Sequence, residues 1–292
     1  EIFEIADRIS VLRDGANVGT RDSGQITRAG LIELMVGRTL NREFPARERR
    51  MGRERLVVRN LRRGAKVRDV SFSVRAGEIV ALAGLVGSGR TETVRLIFGA
   101  DRADSGTVEL DGRRLRITNP REAIRAGIGL LTEDRKGQGL VLGLSVRENF
   151  GLPNLDRLSR LGFVRQQAER AAFARFVDAL RIKAPHDGQP ARNLSGGNQQ
   201  KVVLAKWLQR NCDAVLFDEP TRGIDVGAKY EIYLLMNELA AQGKAIVMIS
   251  SELPEVLGMA DRILVMHDGR ITGEIADAAG ATQARIMELA VA

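Results

Sequence analysis

Residues 78–98 read EIVALAGLVGSGRTETVRLIF. Glu78–Ala83 is rich in valine, isoleucine, leucine and alanine, which is typical of a buried strand. Gly84–Gly89 is a glycine-rich loop, and Thr91–Phe98 has the apolar periodicity of a helix. This order predicts a phosphate-binding site, because glycine lets backbone N–H groups converge on phosphate oxygens and a helix N-terminus favours an anion.

The loop Gly84–Thr91 has the form of a Walker A motif, GxxxxGK[ST], except that Arg90 stands at the lysine position. We expect the Thr91 hydroxyl to ligate Mg²⁺. Arginine is bulkier than lysine, planar and forked, so we expect ATP to bind with an altered contact to its terminal phosphate. The residues predicted to bind the nucleotide here are Gly84, Gly87, Ser88, Gly89, Arg90, Thr91 and Glu92.

A second apolar strand, Ala214–Phe217, is followed by two acids, Asp218 and Glu219. This pattern is typical of a Walker B motif. We expect Asp218 to hold Mg²⁺ and Glu219 to act on the attacking water as a general base or as a positioning group. Two acids that merely cap a strand are the alternative, which the following residues, Pro220, Thr221 and Arg222–Asp225, disfavour.

A third motif, NLSGGNQQK, spans Asn193–Lys201 and opens a helix predicted over Asn198–Gln209. Ser195, Gly196 and Gly197 at the N-terminus of this helix predict an anion-binding site. The alternative is an ordinary serine N-cap that holds no ligand.

Strands alternate with helices along the rest of the chain, which predicts an α/β fold with a mainly parallel sheet. The segment from about residue 146 to 191 is mostly helical, with an amphipathic stretch at Val164–Leu180, and predicts a helical subdomain. The strands predicted at Leu56–Arg59 and Val67–Val74 should be antiparallel edge strands. The other predicted elements are the strands Thr107–Leu110, Ile128–Leu131 and Ala245–Ile249, and the helix Val226–Ala241.

An internal repeat links the two ends of the chain. Ala6–Gly15 reads ADRISVLRDG and Ala260–Gly269 reads ADRILVMHDG, with seven of the ten positions identical. After a one-residue slip the match resumes between Ile26–Gly37 and Ala281–Ala292. Because the later copy closes a complete phosphate-binding module, we expect the earlier one to be the tail of a preceding module.

Composition agrees with a globular domain, since 44% of the 292 residues are hydrophobic. No apolar run reaches the ~20 residues of a membrane helix. Cys212 is the single cysteine, so no disulfide can form within the chain. The net charge is +8, and its densest cluster, Arg47–Arg55, contains no aromatic residues for base stacking, so we expect no nucleic-acid partner and interpret the cluster as a linker.

Together these motifs resemble the ATP-binding cassette family, in which the phosphate loop, the signature NLSGGNQQK, the Walker B strand and the D-loop follow in this order. Three longer segments are similar to the C-terminal module of tandem ATPases that import ribose, xylose or galactose. They are SGGNQQK within the signature, TEDRK at Thr132–Lys136 and SSELPEVLGMADRI at Ser250–Ile263. The resemblance implies that Asp225, in the D-loop, contacts nucleotide.

The resemblance also implies a domain order and a set of partners. Residues 1–44 would be the remnant of a first cassette, 45–55 a linker and 56–292 the second cassette, with its helical subdomain at about 134–193. Such proteins lie peripherally on the cytoplasmic face of the inner membrane. They bind a membrane permease that receives a monosaccharide from a periplasmic binding protein.

The nucleotide site departs from the family pattern in four respects. Arg90 replaces lysine, Glu133 replaces the Q-loop glutamine, and Ser251 stands where a switch histidine is usual. No aromatic residue between Phe44 and Phe72 is present to stack on adenine. Glu219, Ser251 and Glu133 are therefore the catalytic candidates of a site with slow or absent hydrolysis, whereas the intact signature would serve the nucleotide of the facing module.

Two other functions are compatible with a cassette. One is a clamp that acts outside transport, in DNA repair or translation. The gap between Thr91 and Ser195 is too short for long coiled-coil arms, and Pro45–Arg55 is too short for the linker of a tandem translation factor. The other is a stand-alone ATPase, which conflicts with the altered pocket and the repeat.

Overall fold

The computed structural model describes residues 2–13, 16–36 and 43–292. The strands are β1 (Arg8–Arg13), β2 (Ala16–Asp22), β3 (Glu54–Arg63), β4 (Val67–Arg75), β5 (Ile79–Gly84), β6 (Ser105–Leu110), β7 (Arg113–Leu115), β8 (Ile128–Leu131), β9 (Ser159–Arg160), β10 (Phe163–Val164), β11 (Ala214–Asp218), β12 (Ala245–Ile249), β13 (Arg262–His267) and β14 (Arg270–Ile275). The helices are α1 (Ile2–Ile5), α2 (Arg28–Val36), α3 (Arg90–Phe98), α4 (Pro120–Ala126), α5 (Val146–Gly151), α6 (Leu155–Leu158), α7 (Gln166–Ala179), α8 (Gly196–Arg210), α9 (Val226–Ala241), α10 (Leu253–Met259) and α11 (Gln283–Ala290).

The core is a six-stranded sheet in the order β14-β13-β5-β12-β11-β8. Its strands are parallel except β14, which pairs antiparallel at the edge. The residues of β5, β8, β11 and β12 are almost all buried, as expected for strands covered on both faces. The prediction of a mainly parallel core is confirmed, and β5 and β11 end at the same edge of the sheet. The antiparallel edge strand of this core is β14, not the predicted strands Leu56–Arg59 and Val67–Val74.

The strands predicted near the start of the cassette form a sheet of their own. This antiparallel sheet has the order β4-β3-β6-β7. Residues of β4 alternate between buried and exposed, because one face packs on the core and the other meets solvent. It contacts the main sheet through β14 and β12, so it borders the parallel core without extending it.

The subdomain inserted between β8 and β11 is helical but not continuously so. A π-helical turn, Arg135–Gly139, begins it, and a capping box between Ser145 and Glu148 starts α5. A short hairpin, β9–β10, lies between α6 and α7, where the sequence predicted helix. Phe150 and Phe173 pack together with ring centroids 5.3 Å apart and form the centre of the subdomain. No helix in the described ranges is both long and apolar enough to pass through a bilayer.

The sequence repeat is also a repeat of secondary structure. Hairpin β1–β2 pairs Val11 with Gly19, and hairpin β13–β14 pairs the equivalent Val265 with Gly273. Both hairpins have a register shift directly after that valine. Each is followed by a 3₁₀ turn and a helix, α2 or α11. In the first copy, Ile9, Val11 and Leu31 form a hydrophobic cluster separate from the main core.

The arginine-rich segment after residue 44 is bound to the cassette. Arg47 forms a buried ion pair with Asp261 and donates to the carbonyl of Gly77 at 2.8 Å. Arg49 Nε lies 3.1 Å from Asp261 Oδ1, and Arg55 donates to Asp111. The segment interpreted as a linker is therefore held against the cassette, and the charge of Arg47 is neutralised inside the fold.

Candidate nucleotide-binding site

The phosphate loop connects β5 to α3 at the carboxyl edge of the sheet. Gly84, Gly87 and Gly89 all have positive φ, at 148°, 85° and 97°. A Cβ on Gly89 would collide with the carbonyl of Lys66, so this position requires glycine. A Cβ on Gly87 would meet nothing within 4 Å, so the space beside the loop is open there.

Ser88 carries an orphaned polar atom within this loop. Its Oγ is buried and has no hydrogen-bond partner among the described residues. A buried hydroxyl without a partner is uncommon, because losing water without compensation costs about 1–3 kcal/mol. A phosphate oxygen would satisfy it, so the residues present fit a bound nucleotide.

The Arg90 guanidinium is almost completely buried and is anchored inside the pocket. Its Nη1 donates to the carbonyl oxygen of Ser250 at 3.1 Å. Burial lowers the pKa of Arg90, and the nearby carboxylates of Glu219, Asp218 and Glu92 oppose that shift. The side chain retains its positive charge, since arginine does not deprotonate in proteins, but one of its donors is already used.

Thr91 and Asp218 meet as the sequence predicted. The Thr91 hydroxyl donates to Asp218 Oδ1 at 3.1 Å. Burial raises the pKa of Asp218 to about 6, although the Thr91 hydrogen bond lowers it. A hydroxyl and a carboxylate next to a phosphate loop suit Mg²⁺, which takes oxygen ligands and prefers one or two protein groups with phosphate oxygens.

Glu219 and Ser251 also lie together. Glu219 follows β11 with φ at 48°, and its amide donates to the carbonyl of Ile249 at 3.0 Å. The Ser251 hydroxyl donates to Glu219 Oε2 at 3.0 Å. The serine at the switch position therefore engages the carboxylate that is the candidate for positioning water.

Glu133 forms an ion pair with an arginine, and its predicted catalytic role stays a prediction. Its carboxylate forms an ion pair with Arg222, which lies just after the Walker B segment. Among the described residues no hydrogen bond or ion pair joins Glu133 to Asp218 or Glu219. The negative charge of Glu133 is therefore compensated by Arg222.

The signature segment begins α8 with free donors. Ser195 occupies the N-cap position, but its hydroxyl does not accept from the backbone of the helix. It accepts instead from the Asn198 side chain at 3.0 Å. The structure therefore disfavours an ordinary serine cap and leaves the first amides of α8, including those of Gly196 and Gly197, available to an anion.

Asp225 lies beside the signature. Its Oδ1 accepts from the Ala228 amide at 2.9 Å and so caps α9. Its Oδ2 would be 3.8 Å from a Cβ on Gly197. The structure gives Asp225 a capping role near the signature, and its predicted nucleotide contact stays a prediction.

The profile of the ABC transporter family matches residues 67–222. That range is more than half of the chain and contains the phosphate loop, the signature and the Walker B strand. This chain belongs to the ABC transporter family.

Curated relatives of this ABC transporter protein are longer than the chain. It is 51% identical over 290 residues to the ribose import ATP-binding protein RbsA of Geobacillus kaustophilus, covering 99% of this chain and 58% of that protein. It is 52% identical over 278 residues to a putative ribose/galactose/methyl galactoside import ATP-binding protein of Rhizobium meliloti, covering 95% of this chain and 56% of that protein. The chain thus spans a little over half the length of these relatives.

Solved ABC transporter cassettes share the fold. An ATP-binding cassette in its ADP conformation superposes with a TM-score of 0.66 at 24% identity, over 82% of this chain and 99% of the other. A dimeric bacterial cassette superposes with a TM-score of 0.65 at 23% identity, over 77% of this chain and 100% of the other. The P-loop nucleotide-hydrolase fold of the cassette type is therefore confirmed.

One buried residue of the cassette escaped the sequence interpretation. The carboxylate of Glu255 is almost fully enclosed and accepts from the hydroxyls of Thr221, Tyr233 and Ser250 at 2.5–2.8 Å. Glu255 thereby connects the turn after Walker B to Ser250, whose carbonyl accepts from Arg90 and which directly precedes Ser251. Its only sequence signal is an acid within the quoted Ser250–Ile263 segment, where nothing identifies its partners.

Proposed function

We propose that this chain is the ATP-binding part of a monosaccharide importer and couples ATP binding and hydrolysis to transport. The observation that carries the nucleotide role is the Thr91–Asp218 contact beside an open glycine loop. The sugar-import role is supported by the printed names of relatives that are 51–52% identical. A membrane permease and, indirectly, a periplasmic sugar-binding protein are the corresponding partners, at the cytoplasmic face of the inner membrane.

In this proposal the phosphate loop binds the phosphates of ATP, and Thr91 and Asp218 hold Mg²⁺. The cation supplies neutralisation of charge on the terminal phosphates. Glu219 orients the water that attacks the γ-phosphate, and Ser251 fixes the Glu219 carboxylate through its hydroxyl. Arg90 contributes positive charge, but its bond to the Ser250 carbonyl restricts how far it can follow a moving phosphoryl group.

The two halves of the machinery would then serve different nucleotides. The altered pocket of this chain holds ATP with slow or absent hydrolysis. Its signature, Ser195–Gly197, completes the competent pocket of a facing first cassette. Residues 1–44 are the tail of that first cassette, which the matched register of hairpins β1–β2 and β13–β14 supports.

The full-length protein, reconstituted with its permease and sugar-binding protein, provides the test. Ser195→Arg places a bulky cation at the N-terminus of α8, and we expect ATPase activity and transport to fall at least about 100-fold. Arg90→Lys restores the usual residue in the slow pocket, and we expect transport to change little. If Arg90→Lys raised transport strongly while Ser195→Arg left it intact, the assignment of the two pockets would be reversed.

A further inference from the structure

Arg135 lies between the signature and the segment that follows Walker B. Its Nη1 donates to the carbonyl oxygen of Arg222 at 2.9 Å. A Cβ on Gly196 would be 2.7 Å from its Nη2, so the guanidinium packs against the first residue of α8. Its Nε is buried without a hydrogen-bond partner among the described residues. One donor is thus used for positioning, while Nε remains unpaired.

No carboxylate forms an ion pair with Arg135 within the described part of the chain. Glu133 is engaged by Arg222, Asp134 accepts from a backbone amide of its own turn, and Asp225 caps α9. Each nearby acid therefore already has another partner.

The neighbour of Arg135 is itself positive. α8 is a 15-residue helix whose N-terminus has no side-chain cap. Such a terminus behaves as roughly half a positive charge. A guanidinium against it is repelled, and an anion that contacts both would turn this repulsion into attraction. Phosphate is the anion that best matches a forked donor with adjacent helix amides.

We propose that Arg135 is a phosphate-binding residue of the signature site and donates to the terminal phosphate of the nucleotide that the facing cassette holds. This inference rests on the proposed function, in which the signature completes that pocket. Gly196 then has two roles, since its amide faces the anion and its missing side chain leaves room for the guanidinium.

A purely structural role is the competing explanation. In that case Arg135 only pins the Arg222 carbonyl, and its loss would loosen the fold without distinguishing one nucleotide from another. The two explanations differ in nucleotide selectivity, because ADP lacks the phosphate that Arg135 is proposed to contact.

The experiment uses the full-length protein and compares Arg135→Gln, Arg135→Lys and the neighbouring control Lys136→Gln. Lys136 is exposed in the same turn and has no ion-pair partner in the described residues. For Arg135→Gln we expect about 10- to 100-fold weaker ATP binding at the competent pocket, unchanged ADP binding and unchanged thermal stability. Arg135→Lys should recover part of the loss, and Lys136→Gln should resemble wild type.

Equal weakening of ATP and ADP, or a loss of thermal stability that accounts for the change, would overturn the proposal. So would wild-type ATP affinity in Arg135→Gln. Ser195→Arg, measured in parallel, shows whether the signature serves the facing pocket at all, independently of the role of Arg135. If Ser195→Arg abolishes activity while Arg135→Gln has no effect, only the role of Arg135 is wrong.

Discussion

Asp218 carries its carboxylate in a buried position at the end of β11. That it meets Thr91 could be predicted, because β5 and β11 are parallel and residues that follow parallel strands gather at one edge. Its altered pKa could not be predicted, since it depends on how completely the helices and loops exclude water around it.

Replacement of Asp218 by asparagine should stabilise the nucleotide-free, Mg²⁺-free protein at neutral pH. The pKa of Asp218 rises from 3.8 to about 6 on folding. Between these values the folded protein holds a proton that the unfolded chain has lost, so the free energy of unfolding falls as pH rises through this window. At pH 7 we expect Asp218→Asn to be more stable by up to ~3 kcal/mol.

Urea unfolding from pH 4 to pH 7.5 measures this effect. The difference between Asp218→Asn and wild type should shrink toward zero near pH 4. The exposed Asp178→Asn is the control and should show no comparable gain. A stability difference that stays constant over the whole pH range would contradict the burial effect.

Glu255 and Arg135 show which residues sequence reasoning cannot find. Their partners come from segments that are distant along the chain, such as Thr221 and Tyr233 for Glu255 and Gly196 for Arg135. No periodicity or motif relates these positions. Only the packing of α8, α9 and the turn after β11 brings them together.

At the level of elements, the buried strands were the most predictable part. β8 and β12 have the predicted bounds, because short apolar runs between turn residues leave little choice. Hairpin β9–β10 was missed because each strand has two residues and no alternation of apolar and polar side chains. Its turn residues, Leu161 and Gly162, both have positive φ, and only the glycine gives a signal.

The turn of this hairpin can be improved. Positive φ at both central positions is the geometry of a type I′ turn, for which Asn-Gly is the preferred pair. Leu161 is 90% exposed with φ at 51°. Its left-handed backbone is therefore strained, and no side-chain packing offsets that strain. We expect Leu161→Asn to raise the free energy of unfolding by about 1 kcal/mol.

Chemical denaturation measures that gain, and Leu161→Ala is its control. Alanine removes the same exposed side chain but keeps the unfavourable backbone preference, so its stability should stay close to wild type. A gain of equal size in Leu161→Ala would attribute the effect to the removed side chain and not to the turn.

At the scale of the whole molecule, the repeat was visible in the sequence because hairpin and helix recur in the same order with the same irregularity. The sequence did not show, however, that the linker is bound to the cassette. Arg47 and Asp261 are far apart in sequence, and a run of arginines reads as a solvated surface unless the carboxylates that face it are known.

Replacement of Arg47 by methionine should destabilise the cassette by about 3 kcal/mol, because it leaves the carboxylate of Asp261 buried without its main partner. Arg49 retains part of the compensation. Arg50→Met is the matched control, since Arg50 is exposed and, among the described residues, forms an ion pair only with exposed Glu48. Thermal and urea unfolding should separate the two variants, and equal stability would mean that the Arg47–Asp261 ion pair does not stabilise the fold.

The carboxylate that receives Arg47 also accepts the amide of Ile79, the first residue of β5, at 2.8 Å. β5 ends at Gly84, where the phosphate loop begins. Arg47 and Ile79 therefore share one carboxylate, and Ile79 opens the strand that leads into the phosphate loop. A substitution that moves Arg47 consequently acts on a group bound directly to that strand.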